Sequence, residues 1–309
     1  MIAAMSASLH PSLRRLARRA VYPAVERAWE LGFLCAGLLF RPAAERRVPT
    51  GSDYVLVIAP HPDDETMGCG GAIARHAGAG DRVRVLVATD GGTSRAEGRG
   101  PEEMRRLREA EVVRAMRWLG RVDLVQLGLP EGRWDPGDLQ RTLEALLQRD
   151  PTALIYAPSC VDFHPEHVKV ARVLAGTLRS LRGAARPTVR VYEVQVPLTP
   201  VLANVAVEIG GHAAAMKARA LSEYRTQQGS LAGANRHSRY VRRLYRTHRP
   251  VEVFWELDSE GYCRLMESGG ARRPYRGLRP RPLTDGLAWL VGLRARVRLK
   301  KLVERRAAV

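Results

Sequence analysis

Residues Tyr54-Val55-Leu56-Val57-Ile58-Ala59 form an unbroken apolar run that ends on Pro60-His61-Pro62-Asp63-Asp64-Glu65. An apolar run without alternation suits a strand covered on both faces, and such strands belong to parallel sheets flanked by helices. The pattern repeats along the chain. Apolar spacing predicts strands at 53–59, 82–88, 123–127, 153–157 and 189–195, with another at 251–255. Helical spacing falls between them, at 68–79, 102–119, 138–149, 166–182 and 211–226. Strictly alternating strands and helices predict an α/β fold: a Rossmann-like, mostly parallel sheet with helices on both faces. Ligands of such sheets bind at the C-terminal ends of the strands. The 309 residues, 45% of them hydrophobic, suffice for one such domain, placed at 51–268, with flanking segments at 1–50 and 269–309. No internal repeat is present.

The residues after the first strand carry dense chemistry. One imidazole and three carboxylates fall within His61 to Glu65. Pro62 interrupts the backbone there, so the acids are not expected to lie along the solvent side of a helix. This composition suits a divalent metal with a spare carboxylate beside it. A second cluster follows the run Leu154-Ile155-Tyr156-Ala157. It reads Pro158-Ser159-Cys160-Val161-Asp162-Phe163-His164-Pro165-Glu166-His167 and leads into a helical pattern from Val168 to Leu181. His164 and His167 are three apart at a helix start, so both imidazoles can point the same way. Either cluster alone reads as a surface turn or a capping segment. Both together, each at a strand end, can converge His61, Asp64 and His167. Three N/O ligands with one open position is the usual make-up of a catalytic zinc site, and the same set accepts Fe²⁺ or Co²⁺.

The segments Pro60-His61-Pro62-Asp63-Asp64-Glu65 and His164-Pro165-Glu166-His167 resemble the two motifs of the PIG-L/LmbE family of N-acetylglucosaminyl deacetylases. The resemblance extends from about Asp53 to about Phe254. It takes in Thr89-Asp90-Gly91-Gly92, Arg108-Glu109, Leu127-Gly128-Leu129-Pro130, Lys217 and Gln227. The family is metal-dependent, usually with zinc, and removes the acetyl group from N-acetylglucosamine linked to another moiety. Carried over by motif position, the resemblance implies His61, Asp64 and His167 as metal ligands. It implies Asp63 as general base, and His164 as the group that supports the oxyanion or protonates the leaving amine. Two positions depart from the family pattern: Glu166 stands where Asp is common, and Thr226 precedes Gln227 where Ser is usual.

Other residues have plainer readings. Glu65 is expected to cap the following helix or to orient a ligand. Gly68-Cys69-Gly70-Gly71 is not a dinucleotide fingerprint, and the acids before it would repel a pyrophosphate; the glycines are expected to permit close helix–sheet packing. Asp90 and Arg95, in the loop after the second strand, and Arg108 are candidate substrate contacts. The four cysteines, Cys35, Cys69, Cys160 and Cys263, form no C-x-x-C pair, which points to a reducing, cytoplasmic setting.

The net charge of +18 is unevenly placed: residues 1–50 carry +5, residues 271–309 carry +10, and only +3 remains for 51–270. A nearly neutral core argues against nucleic acid as a partner. Both ends combine a Trp-bearing apolar stretch with basic residues: Ala28 to Phe40 follows the arginines of Ser12 to Arg19, and Leu287 to Leu293 leads into Arg294 to Lys301. The first is too short and too charged to span a bilayer comfortably. Peripheral contact with an anionic inner membrane face, or packing on the domain, are the two expectations. The sequence thus predicts a zinc-dependent deacetylase of an N-acetylated amino-sugar conjugate, with a lipid-linked sugar among the candidates. The alternatives are a metal-dependent hydrolase of another amide, or a basic membrane- or nucleic-acid-binding protein on an inactive hydrolase core.

Overall fold

A computed structural model of the chain describes residues 54–93, 98–162, 164–181, 186–194, 196–227, 238–270 and 296–304, with isolated positions before 54 (28, 31–32, 35, 38 and 45–46). Its strands are β1 (Glu45–Arg46), β2 (Tyr54–Ala59), β3 (Arg82–Thr89), β4 (Val122–Leu129), β5 (Thr152–Ala157), β6 (Thr188–Val191), β7 (Val205–Glu208) and β8 (Val251–Leu257). Its helices are α1 (Asp64–Ala79), α2 (Pro101–Leu119), α3 (Pro136–Arg149), α4 (Pro165–Ser180), α5 (Gly211–Glu223) and α6 (Ser259–Gly270). The strands form one sheet in the order β1-β7-β8-β6-β5-β2-β3-β4. All pairings are parallel except those of β8, which runs antiparallel to β6 and β7.

This order places the two motif-bearing strands side by side. From β2 the chain steps outward to β3 and β4, then returns to lay β5 on the other side of β2. The order therefore reverses between β2 and β5, and a crevice opens outside their C-terminal ends at such a point. His61 follows β2 by two residues, and the His164 to His167 segment follows β5.

Alternate side chains of the central strands enter two separate cores. Val55, Val57 and Ala59 pack with Ile73 of α1, Val112 and Met116 of α2, and Ala220 of α5. Leu56 and Ile58 pack with Leu139 and Leu143 of α3, Leu174 of α4 and Leu265 of α6. Both faces of the sheet are thus sealed, which is why β2 needs an unbroken apolar sequence. Each Val, Leu, Ile or Met among them contributes about 1.5–3 kcal/mol by leaving water. Pro at the first position starts α2, α3 and α4, where its missing N–H costs nothing.

Four differences from the sequence reading have physical causes. Helix α1 begins at Asp64 rather than 68, because Pro62 ends just outside it and the acids form its first turn. Asp64 and Glu65 are therefore helical, but they face the interior and not solvent (4% and 0% exposed). Strand β6 stops at Val191, short of 195. Strand β7 and helix α6 had no counterpart in the apolar pattern, and α6 continues to Gly270, into the flanking segment placed at 269–309.

Most of the 1–50 segment and residues 271–295 lie outside the described residues. Residues 296–304 are helical, and Arg296, Leu299 and Val303 are buried, so this part of the basic tail packs on the domain. Among the described residues no helix is long and apolar enough to cross a membrane.

Candidate metal centre

Three atoms converge in the crevice between β2 and β5. His61 Nδ1 lies 3.1 Å from Asp64 Oδ2. His167 Nε2 lies 3.1 Å from the same oxygen and 3.3 Å from His61 Nδ1. Four-coordinate zinc, at about 2.0–2.1 Å from each N or O ligand, requires donor atoms about 3.3 Å apart. The triangle of lone-pair donors therefore has the edge of a tetrahedral metal site. Each imidazole is aimed by a carboxylate on its other nitrogen. Glu131 Oε1 meets His61 Nε2 at 3.1 Å, and Asp162 Oδ2 meets His167 Nδ1 at 3.0 Å. Such carboxylate partners fix ring orientation and tautomer in metal-binding histidines.

His164 lies against the other two rings, 4.8 Å from that of His61 and 5.0 Å from that of His167 between centroids. A nitrogen of each of the three rings falls within 4.8 Å of the others, so His164 is a geometric alternative to Asp64 as a third ligand. The hydrogen bonding favours Asp64. His164 caps α4, its Nδ1 accepting from the Glu166 N–H at 3.3 Å. That bond places the ring proton of the neutral form on Nε2, which makes this nitrogen a donor.

Asp63 sits beside the triangle with its backbone at φ 140°, ψ −29°. This region is costly for any residue with a Cβ and persists only where the surroundings enforce it. The enforcement is visible. Glu65 Oε2 accepts from the Asp63 N–H at 3.1 Å, while Glu65 Oε1 accepts from the hydroxyls of Thr66, at 2.8 Å, and Tyr224. Arg108 donates from Nη2 to Asp63 Oδ1 at 3.0 Å and to the Pro62 carbonyl at 2.7 Å. Asp63 Oδ2 makes no hydrogen bond among the described residues.

Burial is the main influence on the charges here. It pushes the Asp63 carboxyl up to about 7, with Arg108 opposing and Asp64 adding to the rise. Burial also raises Glu65, against the bonds from Tyr224 and Thr66. Burial pulls His61 down, but the bonds to Asp64 and Glu131 outweigh it and lift this imidazole to about 9. His167 is likewise raised despite burial, by Asp64 and Asp162. Burial works against ionisation of Asp64, yet the two imidazoles hold it well below the carboxylate range. Glu131, opposed by burial, is lowered to about 2 by His61. Without a cation, then, protons on the two imidazoles balance the acids. His164 goes the other way: burial, then His61 and His167, push it down.

Residues 56–177 match the PIG-L family, GlcNAc-PI de-N-acetylase. This part of the chain is thus similar to a PIG-L domain. A probable N-acetyl-α-D-glucosaminyl L-malate deacetylase 2 of Bacillus anthracis is 29% identical over 143 residues, 44% of this chain. The match spans 63% of that protein, less than two thirds of its length. Among solved structures, the N,N'-diacetylchitobiose deacetylase of Pyrococcus horikoshii superposes with a TM-score of 0.58 at 19% identity, over 68% of this chain and 85% of that one. The conserved protein TT1542 of Thermus thermophilus superposes with a TM-score of 0.53 at 29% identity, over 65% and 93%. The mostly parallel sheet is thus a fold that this chain shares with both structures.

The structure brings together His61, Asp63, Asp64, His164 and His167. The substrate candidates fare differently. Arg108 is buried (4% exposed), and its Nη groups are spent on Asp63 and on the carbonyls of Pro62 and Gly91, so it faces the base and not a cleft. Asp90 Oδ1 accepts from the N–H groups of Gly92 and Glu131 and ties two loops together. Arg95 lies outside the described residues. Glu131 and the orienting part of Asp162 were missed. Asp162 stood within the quoted second cluster, and Glu131 directly follows Pro130, so an acid at each strand end was the available signal. Both departures from the family pattern make polar contacts. Glu166 reaches the Trp134 indole N–H at 2.5 Å, and Thr226 uses both its N–H and its hydroxyl on Glu111.

Proposed function

We propose that the chain is a metal-dependent deacetylase that removes the N-acetyl group from an N-acetylglucosamine-containing conjugate. The observation that carries this reading is the convergence of His61 Nδ1, Asp64 Oδ2 and His167 Nε2 within 3.3 Å of one another, with Asp63 beside them. These three residues would hold a divalent cation, zinc by preference. When bound, such an ion acidifies a water and polarises an amide carbonyl.

The remaining chemistry belongs to the chain. Asp63 takes the proton of the attacking water on Oδ2, since Arg108 occupies Oδ1, and passes it to the amine nitrogen as the C–N bond breaks and acetate is released. Burial raises this carboxyl, which strengthens it as a proton acceptor. His164 faces the site with an Nε2–H donor, fixed by the Glu166 bond to Nδ1, and supports the oxygen that gains charge during attack. Its lowered pKa favours this donor role over that of a proton source. The named activities of the Bacillus and Pyrococcus relatives point to an amino-sugar substrate.

An anionic membrane surface is proposed as a peripheral partner. Val297, Arg298, Lys301 and Leu302 form an exposed basic and apolar face of the 296–304 helix, whose other face is buried. Substituting Arg298 and Lys301 by Glu should weaken sedimentation with anionic vesicles; unchanged sedimentation removes this partner.

Acetate release from a panel of N-acetylglucosamine conjugates, lipid-linked ones included, tests the activity on metal-stripped protein with and without added Zn²⁺. Zinc-dependent release is expected. No release from any conjugate by zinc-loaded protein would overturn the reading.

A further inference from the structure

Helix α1 carries Asp64 on its first turn, and it is broken one turn later. Cys69 has φ −145°, ψ 22°, far from helical values. In an intact helix the Gly71 N–H would bond the Met67 carbonyl, and the Ala72 N–H that of Gly68. Here Gly71 N–H donates to Glu252 Oε1 and Ala72 N–H to Glu252 Oε2, both at 2.8 Å. The Met67 carbonyl instead accepts from Lys217 Nζ at 2.9 Å, and the same ammonium donates to Glu252 Oε1 at 2.6 Å. One rung of the helix has been replaced by a relay: Gly71 N–H to carboxylate, ammonium to carboxylate, ammonium to Met67 carbonyl. Glu252 comes from β8 and Lys217 from α5, so two distant elements meet inside α1. A side chain inserted into the ladder is a known cause of a sharp helix bend.

The surrounding sequence is fitted to this insertion. A Cβ on Gly70 would stand 3.3 Å from Lys217 Cγ and 3.5 Å from its Cδ, tight against the lysine stem. A Cβ on Gly68 would stand 2.5 Å from the Tyr192 ring, whose hydroxyl donates to the Ile58 carbonyl near the end of β2. The break is thus locked to the strand end from which His61 emerges. Residues 64–68 thus form a short segment set off from the rest of α1 by the break at Cys69.

We propose that Lys217 and Glu252 are positioning residues for the metal-binding turn, their ion pair setting the direction in which Asp63 and Asp64 point. This rests on the reading that His61, Asp64 and His167 hold a divalent metal. A buried ion pair commonly adds little net stability, so a role in geometry can be separated from a role in folding. The test measures Zn²⁺ affinity of the metal-stripped full chain by chelator competition, together with its thermal transition. Lys217→Met should bind Zn²⁺ at least fivefold more weakly. The double variant Lys217→Met/Glu252→Gln removes the unpaired buried charge and should regain thermal stability without regaining affinity. It also carries the test alone if the single variant does not fold. A folded double variant within fivefold of wild-type affinity overturns the proposal and shows the pair to be structural only. A wild-type chain that binds no zinc would instead sink the metal reading on which the proposal rests.

Discussion

The two segments that meet at the site are built in opposite ways. In the β5–α4 segment the support is local. Asp162 caps the His164 N–H with one oxygen and orients His167, five residues on, with the other, while His164 caps Glu166. In the β2–α1 segment the Asp63–Glu65 bond is local, but the other main supports come from far along the chain. His61 is aimed by Glu131, Asp63 is held by Arg108, Glu65 is tied to Tyr224, and α1 is broken by Lys217 and Glu252. The segment with the strained base needs a finished fold around it, whereas the other needs little beyond its own sequence. The difference is one of pre-organisation: the costly φ of Asp63 is sustained by bonds from α2 and the Glu65–Tyr224 link.

The largest expected effect lies in the distantly supported half. Asp63→Asn keeps the side-chain volume and a bond from Arg108 but removes the base, so kcat should fall by roughly 10²–10⁴. Zinc content should stay at the wild-type level, because the residue is not among the three converging donors. Parallel loss of zinc would mean that the two adjacent acids have exchanged roles, and the contrast between a strained base and its ligand neighbour would collapse.

Next come the carboxylates that aim the imidazoles. Asp162→Asn and Glu131→Gln should each weaken zinc binding by about 10–100-fold, the range for such partners. Asp162 should lie at the upper end, since it serves both the His164 N–H and the His167 ring. Glu131 serves His61 and the Thr93 N–H. An Asp162→Asn loss smaller than that of Glu131→Gln, read by zinc titration, would contradict the view that the second segment is organised by its own acid.

The same contrast explains what was legible in the sequence. His61, Asp63, Asp64, His164 and His167 stand close together next to apolar strands, so strand ends and residue chemistry suffice to find them. Glu131 stands alone in a loop, Lys217 between Met216 and Ala218, and Glu252 between Val251 and Val253, and no periodicity tells an acid that caps a broken helix from a solvated one. Lys217 was noticed only through a family pattern, without a function. The fold was readable where strands are covered on both faces. It was not readable at β7, four residues long between irregular segments, nor at α6, where Gly261, Gly269 and Gly270 suggest a turn although Tyr262, Leu265 and Met266 supply a buried stripe. The first turn of α1 was hidden because Pro62 and three acids resemble a loop; burial by partners over forty residues away makes it a helix.

Acidity gives a smaller effect that touches both halves at once. In metal-stripped protein His61 is raised from 6.5 to about 9 and His167 is also raised. Groups raised on folding stabilise fully below their unfolded pKa and lose that contribution as pH climbs through the folded value. The stripped protein should therefore lose thermal stability between pH 6.5 and 9. Zinc displaces these protons, so its affinity should rise over the same window and the zinc-loaded protein should lose less stability. A flat pH profile of melting temperature in stripped protein would deny that protons balance the acids of the site.

The smallest effect tests whether the local segment is wholly local. Glu166, where the family commonly has Asp, reaches out of α4 to the Trp134 indole N–H. Glu166→Asp shortens that reach and leaves a buried N–H without its acceptor, at a cost of about 1–3 kcal/mol. The cap from the Glu166 backbone to His164 Nδ1 does not involve the side chain, so the ring should keep its tautomer and its aim. Melting temperature should drop and Trp134 fluorescence should change, while kcat stays within about threefold, because no transition-state contact is removed. A large fall in kcat at unchanged zinc affinity would show that Trp134 helps to aim His164. The second segment would then depend on the distant fold as the first one does.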